Sequence, residues 1–181
     1  MKPAVFIERD GVLNEVRVEH QHQVSPLTLS EFRVRKDIAP LLHKLRAAGF
    51  MLIATTNQPG LSRGCQSRRE LDEMHARMRR LLPLHDILVC PHDEADLCPC
   101  RKPEPGLIME AVYKWHLDLD RSFVVSDKWP DAEAARAAGC LSILIQSPWL
   151  GSARHDLVLP SLAAVTDKIL QLQADHHALV H

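Results

Sequence analysis

Short runs of β-branched and aliphatic residues alternate with longer amphipathic stretches along most of the chain. This alternation is typical of βαβ units, in which each helix crosses over a parallel sheet to reach the next strand. The predicted strands are Ala4–Ile7, Met51–Thr56, Ile87–Val89, Phe123–Ser126, Leu141–Ile145 and, at the edge, Leu157–Leu159. The predicted helices are Lys36–Ala48, Arg68–Leu82, Gly106–His116, Asp131–Ala138 and Leu162–Gln173. The pattern therefore predicts an α/β fold built on a parallel sheet.

The segment Glu15–Arg35 is polar and shows no clear periodicity, and it is too short to form a separate cap domain. No repeat or low-complexity linker divides the chain. With 181 residues, of which 46% are hydrophobic, the chain is long enough for one well-filled core. We therefore expect a single domain over residues 1–181.

The overall charge points away from large anionic partners. A net charge of −1 gives no basic surface for nucleic acid or an anionic membrane. No apolar run approaches the roughly 20 residues of a membrane span, and Met1-Lys2-Pro3 leads directly into a strand and not into a signal sequence. We expect a cytoplasmic monomer with neither nucleic acid nor a membrane as partner.

Acidic residues follow two of the predicted strands. The first strand is followed by Glu8-Arg9-Asp10-Gly11, and the fourth by Asp127. Because ligands of open parallel sheets bind beyond the carboxyl ends of the strands, these carboxylates should meet at one edge. Converging carboxylates favour a hard cation such as Mg²⁺. Taken alone, Asp127 and Asp131 are equally well explained as an N-cap and a first-turn acid of a helix.

The second predicted strand ends in Thr56-Asn57, followed by a loop that contains Gly60 and Gly64. A threonine hydroxyl and backbone N–H groups at a strand end can hold a phosphate oxygen, and the glycines allow the loop to turn tightly. Taken alone, an ordinary polar turn explains this segment better. The loop supports a phosphate site only in combination with the carboxylates.

Three cysteines and a histidine fall within eleven residues after the third strand, namely Cys90, His92, Cys98 and Cys100. This set matches the Cys₃His ligands of a tetrahedral structural zinc site with no open position. Buried thiols or a disulfide between Cys98 and Cys100 are the alternatives, but cysteines this close in sequence form strained bridges. Cys65 and Cys140 are read as ordinary small residues.

Two cations, Arg101 and Lys102, follow the last cysteine and precede Pro103. A solvated basic pair would be the usual explanation of two such residues. Here the predicted metal loop on one side and proline on the other restrict their freedom, which suits a phosphate clamp.

These motifs in this order resemble the D-glycero-D-manno-heptose 1,7-bisphosphate phosphatase branch of the haloacid dehalogenase (HAD) superfamily, with histidinol-phosphate phosphatase as a near relative. The resemblance covers residues 4 to about 146 and rests most on the spacing of the zinc loop. It implies a three-layer Rossmann-like fold without a cap domain. It also implies a phosphoric monoester hydrolase of carbohydrate metabolism that uses Mg²⁺ and carries a zinc-stapled loop.

The resemblance also implies a role for each matching residue. Asp10 would be the general acid/base, and Lys102 would neutralise the nucleophile and the phosphate. Phosphate and substrate would be held by Thr56, Asn57, Arg101 and Lys128. Mg²⁺ would be bound by the carboxylate at position 8, the Asp10 carbonyl and Asp127.

Glu8 departs from the family pattern, which has aspartate as the nucleophile. The extra bond adds about 1.5 Å of reach, and phosphoryl transfer depends on accurate positioning. Three functions are consistent with this change. The chain is a slow Mg²⁺-dependent phosphatase of a sugar phosphate similar to heptose bisphosphate, a binding protein for a phosphorylated metabolite, or a phosphatase of another small metabolite such as histidinol phosphate.

Overall fold

The computed structural model of the protein describes residues 1–152 and 154–180, and its central feature is a six-stranded parallel sheet. The strands are β1 Ala4–Glu8, β4 Met51–Asn57, β5 Asp86–Cys90, β6 Phe123–Ser126, β7 Leu141–Ile145 and β8 Leu157–Leu159. Their order is β5-β4-β1-β6-β7-β8, so β1 lies between β4 and β6 in the middle of the sheet. All six predicted strands are confirmed, with ends that differ by at most one residue.

Helices cover both faces of the sheet. They are α1 Ala39–Ala47, α2 Arg68–Leu81, α3 Gly106–Trp115, α4 Trp129–Ala138 and α5 Leu162–Val180. Side chains of β1 alternate between the faces, so Val5 and Ile7 pack with α1, α2 and α5, whereas Ala4 and Phe6 pack with α3 and α4. Every residue of β1 is buried. The two cores on either side of the sheet give the three-layer α/β fold that was predicted.

Three predicted helix boundaries need correction. The expected helix from Lys36 is a 3₁₀ turn that passes into α1 at Ala39. Helix α4 begins at Trp129 and not at Asp131. Pro130 lies in its first turn, where proline is tolerated because the N–H groups of a first turn have no partner within the helix. Helix α5 continues beyond Gln173, since neither glycine nor proline interrupts it.

A small antiparallel hairpin, β2 Arg17–Glu19 and β3 His22–Val24, lies within the segment for which no structure was predicted. Its turn residues His20 and Gln21 have positive φ angles of 48° and 64°. The strands are short and β2 is fully exposed, so they show no hydrophobic alternation. None of the helices in the described residues is long and apolar enough to cross a membrane.

Candidate active site

Glu8 ends β1, at the carboxyl edge of the sheet, and its side chain is 4% exposed. Its Oε1 accepts the backbone N–H of Asp10 at 3.0 Å, and its Oε2 accepts a charged hydrogen bond from Lys102 Nζ. Burial alone would raise the pKa of Glu8, but Lys102 and Lys128 outweigh that effect and hold it below its ordinary value. Glu8 is therefore a carboxylate surrounded by positive charge.

Lys102 connects Glu8 to a second acid that the sequence analysis did not place in the site. Its Nζ donates to Asp131 Oδ1 at 2.6 Å, and Ser126 Oγ donates to the other oxygen of Asp131 at 2.9 Å. Burial raises the pKa of Asp131 to about 6, although Lys102 acts in the opposite direction. Burial alone would lower the pKa of Lys102, but Asp131 and Glu8 raise it above its usual value, so Lys102 is a buried cation.

Asp10 lies next to Glu8 and receives hydrogen bonds at both of its carboxylate oxygens. Arg9 donates to it through Nε and Nη2 at 2.8 to 3.0 Å. Further bonds at 2.7 to 2.9 Å come from Asn14, Ser25 and Gln58. Burial alone would raise the pKa of Asp10, but these cationic and polar neighbours, together with Lys128, hold it well below its usual range. Asp10 is an ionised carboxylate in a fixed orientation.

Arg9 is itself buried completely, between the site and α2. Its Nη1 donates to Nε2 of His75 at 3.0 Å, and its guanidinium carbon lies 5.5 Å from the centre of the Phe32 ring. Burial and the neighbouring Arg9 charge lower the pKa of His75 to about 3. His75 is therefore neutral and accepts a hydrogen bond from the residue that orients Asp10.

Asp127 follows β6 and presents one oxygen that no protein group uses. Its Oδ2 accepts a hydrogen bond from Gln23 Nε2 at 2.5 Å, whereas its buried Oδ1 has no partner among the described residues. Burial raises the pKa of Asp127, as expected for a carboxylate without full compensation. At Gly11, where φ is +96°, a Cβ atom would lie 2.7 Å from Asp127 Oδ2, so only glycine fits there.

Lys128 is the remaining cation beside these acids. Its Nζ donates to the backbone carbonyl of Asp10 at 2.7 Å and lies 3.6 Å from Glu8 Oε1. The Asp10 carbonyl and the Glu8 carboxylate thus both attract a cation. They are the two groups that were predicted, together with Asp127, to hold Mg²⁺. The Asp10 carbonyl and the carboxylates of Glu8 and Asp127 offer oxygen ligands, and one buried oxygen of Asp127 is unpaired. This set of ligands fits a hard divalent cation.

Thr56 and Asn57 end β4, directly beside β1. Thr56 is fully buried, and Gln58 Nε2 donates both to its hydroxyl and to Asp10 Oδ2 at 2.8 Å. The side-chain amide of Asn57 bonds to the backbone carbonyl and N–H of Lys102, each at 3.1 Å. Asn57 therefore fixes the segment that carries Lys102, and its predicted contact with phosphate stays a prediction.

The cysteine and histidine ligands predicted for zinc come together after β5. One ligand atom of each of Cys90, His92, Cys98 and Cys100 lies within 4.8 Å of all the others. The sulfur–sulfur distances are 3.2 to 3.6 Å, close to the edge of about 3.8 Å that a tetrahedron with zinc–sulfur bonds of ~2.3 Å has. The alternative disulfide is absent, because both Cys98 and Cys100 are free thiols 3.5 Å apart. These four side chains can hold a metal ion.

Arg101 directly follows the metal loop in the chain and borders a cleft of about 680 Å³. Its Nη1 donates to the backbone carbonyl of His92 at 3.2 Å. The cleft is also lined by Trp129 of α4, and it shares Asn57 and Lys102 with the carboxylate site. Its volume is typical of a small-molecule site, and it opens beside the buried acids.

Several residues of this site were missed in the sequence. Gln58 directly follows Thr56-Asn57 in the sequence, and Asp131 was considered only as a first-turn acid, so a signal was present for both. Arg9 was given no role, although a charged residue at the end of a buried strand needs a partner. Gln23, Ser25 and His75 gave no signal, because only the folded chain brings them to the carboxylates.

The arrangement defines a class of protein. The parallel sheet carries acids after β1 and β6, and the buried Lys102 bonds to an acid from each side, Glu8 and Asp131. This is the architecture of a HAD-type phosphate-ester hydrolase. The HAD-hydrolase-like family model matches residues 99–169. A D-glycero-beta-D-manno-heptose-1,7-bisphosphate 7-phosphatase of Rhodopseudomonas palustris is 37% identical over 150 residues, which cover 76% of this chain and 80% of that protein. The Pseudomonas aeruginosa protein with the same name is 32% identical over 178 residues, with 92% and 97% covered.

A solved structure leads to the same family. The crystal structure of D,D-heptose 1,7-bisphosphate phosphatase from B. bronchiseptica, complexed with magnesium and phosphate, matches with a TM-score of 0.78 and 29% identity. The match covers 95% of this chain and 99% of that one. The chain belongs to the D-glycero-D-manno-heptose 1,7-bisphosphate phosphatase family of HAD hydrolases. The family resemblance, the phosphatase class and the α/β fold predicted from the sequence are confirmed.

Proposed function

We propose that the protein is a cytoplasmic, monomeric Mg²⁺-dependent phosphatase that hydrolyses a small phosphorylated sugar of the heptose bisphosphate type. The observation that carries this proposal is the convergence of Glu8, Asp10, Lys102 and Asp127 at one edge of the sheet, next to a cleft that suits a sugar. Relatives with 37% and 32% identity are named as heptose bisphosphate phosphatases, which supports the choice of substrate class.

The phosphoryl group would bind between Glu8, Lys102 and the end of β4. Lys102 would neutralise negative charge as the bond to the leaving oxygen breaks, and Thr56 would donate its hydroxyl to a phosphoryl oxygen. Glu8, Asp127 and the Asp10 carbonyl would hold Mg²⁺, which supplies further positive charge beside the phosphoryl group when bound.

Glu8 would attack phosphorus or orient a water molecule for that attack, and Asp10 would move the proton. Asp10 is kept ionised by Arg9 and its polar neighbours, which suits it to accept a proton from the attacking water. If Glu8 orients the water, that proton then passes from Asp10 to the leaving oxygen. If Glu8 attacks phosphorus, the bond to the leaving oxygen breaks first, and Asp10 must take from solvent the proton that it gives to this oxygen. Water would then break the new bond between Glu8 and phosphorus and return a proton to Asp10. The sugar would lie in the cleft, where Arg101 offers a cation to a second anionic or polar group.

A binding protein without turnover is the second candidate, and one observation favours it. Both oxygens of the Glu8 carboxylate are already held by hydrogen bonds, one from the Asp10 N–H and one from the Lys102 ammonium. This hinders attack on phosphorus without removing the cations that attract a phosphate.

Phosphate release from a substrate panel separates these candidates. The panel contains heptose bisphosphate, other sugar phosphates and histidinol phosphate, each with Mg²⁺ and with a chelator, and Asp10→Asn is the inactive control. We expect Mg²⁺-dependent release that is fastest with the heptose ester. Faster release from histidinol phosphate would reassign the substrate. No release from any ester, with Mg²⁺-dependent binding of phosphate retained, would favour the binding protein.

A further inference from the structure

The exposed hairpin β2–β3 contacts both carboxylates that flank Glu8. Gln23 in β3 donates from Nε2 to Asp127 Oδ2 at 2.5 Å, and Ser25, just after the hairpin, donates from Oγ to Asp10 Oδ2 at 2.7 Å. An isolated two-stranded hairpin is marginally stable in water. The contacts with Asp127 and Asp10 therefore help to hold the hairpin against the site.

Gln23 decides which oxygen of Asp127 is left for a ligand. Because it occupies Oδ2, the oxygen that remains is Oδ1, which is buried and has no partner among the described residues. Asp127 is only 6% exposed, so water replaces the missing partner poorly. The amide must present its NH₂ to Asp127, since the reversed amide would place two acceptors against each other.

The contact between Gln23 and Asp127 also lies directly against the backbone that follows Asp10. A Cβ atom on Gly11 would lie 3.0 Å from Gln23 Nε2 and 2.7 Å from Asp127 Oδ2. The same stretch of backbone carries the Asp10 carbonyl, to which Lys128 donates. Gln23 and Asp127 thus lie closer to the backbone at Gly11 than a residue with a side chain would permit.

We propose that Gln23 is a positioning residue for the divalent metal, and that it couples closure of the β2–β3 hairpin to binding of Mg²⁺. Its hydrogen bond to Oδ2 holds the Asp127 carboxylate and leaves Oδ1 free, so that Oδ1 would be the oxygen that binds the cation. Coupling between two equilibria is reciprocal. The closed hairpin strengthens metal binding, and the bound metal stabilises the closed hairpin. The inference rests on the proposed function only through the assignment of Asp127 as a metal ligand.

The test compares Gln23→Asn with a matched control, Gln21→Asn, in the full chain. Both changes remove one methylene from a glutamine of the same hairpin, but Gln21 is exposed at the turn. Titration calorimetry with Mg²⁺ alone should give a dissociation constant 10 to 100-fold higher for Gln23→Asn and an unchanged one for Gln21→Asn. Because Gln23 lies on a surface hairpin, both variants are expected to keep the wild-type circular dichroism spectrum.

Trypsin cleavage after Arg17, an exposed residue of β2, measures hairpin opening without any reference to activity. Mg²⁺ should slow this cleavage in the wild type and in Gln21→Asn, and should have little effect in Gln23→Asn. Equal Mg²⁺ affinity in Gln23→Asn and the wild type, with cleavage that ignores Mg²⁺, would overturn the inference.

The variant Asp127→Asn separates failure of the inference from failure of the metal site. If Asp127→Asn weakens Mg²⁺ binding and Gln23→Asn does not, the inference alone fails. If the wild type binds no Mg²⁺, the inference and the metal assignment fail together. Phosphate release from sugar esters tests the proposed function separately from either result.

Discussion

Replacing Glu8 by aspartate should raise the rate of phosphate release by about one to two powers of ten. The Glu8 carboxylate reaches far enough from β1 to accept from the Asp10 N–H at 3.0 Å and to contact Lys102 Nζ directly. Removing one methylene withdraws it by about 1.5 Å and leaves room for a phosphoryl group between position 8 and Lys102. A misplacement of about 1 Å costs on the order of 100-fold, or ~2.7 kcal/mol of transition-state stabilisation.

The assay is the initial rate of phosphate release with saturating Mg²⁺ for the wild type, Glu8→Asp and the double variant Glu8→Asp/Asp10→Asn. Loss of the Asp10 carboxylate should abolish release, because Asp10 moves the proton. A rate that falls in Glu8→Asp would refute this reasoning, since it would mean that the site is arranged around the longer side chain. Full activity in the double variant would show that the chemistry occurs elsewhere.

Three further predictions concern Lys102, the zinc loop and His75. Lys102→Met should weaken calorimetric binding of phosphate in the presence of Mg²⁺ at least tenfold, and equal affinity would remove Lys102 from the phosphate site. Pure protein should contain one zinc per chain, and the variant in which Cys98 and Cys100 are serine should lose both the zinc and thermal stability. A wild type that folds normally without zinc would contradict the assignment of these residues as zinc ligands. The folded state keeps the His75 pKa at about 3, whereas an unfolded histidine titrates near 6.5. Below about pH 6.5 only the unfolded state gains this proton, so the free energy of unfolding should fall, by roughly 2 kcal/mol at pH 5. His75→Gln keeps an acceptor for Arg9 and should remove that part of the urea-measured decline, so equal pH slopes in both proteins would contradict the neutral state of His75.

The sheet and the zinc loop could be predicted because each depends on residues that are close in sequence. The buried strands are continuous apolar runs, and Leu141–Ile145 was predicted with the bounds that the structure has. The four residues of the zinc loop lie within eleven positions, so their identities and spacing alone define a tetrahedral set. The position of Asp10 and Asp127 at one edge also followed, since parallel strands end on the same side of a sheet.

The environment of each carboxylate was decided only by the tertiary structure. The sequence suggested no role for Arg9, yet Arg9 is completely buried and links its neighbour Asp10 to His75, which lies 66 positions after Arg9 in the chain. The contact of Gln23 with Asp127 spans 104 positions, and no sequence pattern relates the two residues. Such contacts depend on how separate elements pack, because hydrogen bonds and buried charges act over a few ångströms in space and carry no periodic pattern along the chain. The sequence by itself determined the fold, the family and three acids of the site, Glu8, Asp10 and Asp127. Packing brought in Asp131 and determined the protonation of these acids and which oxygens they offer.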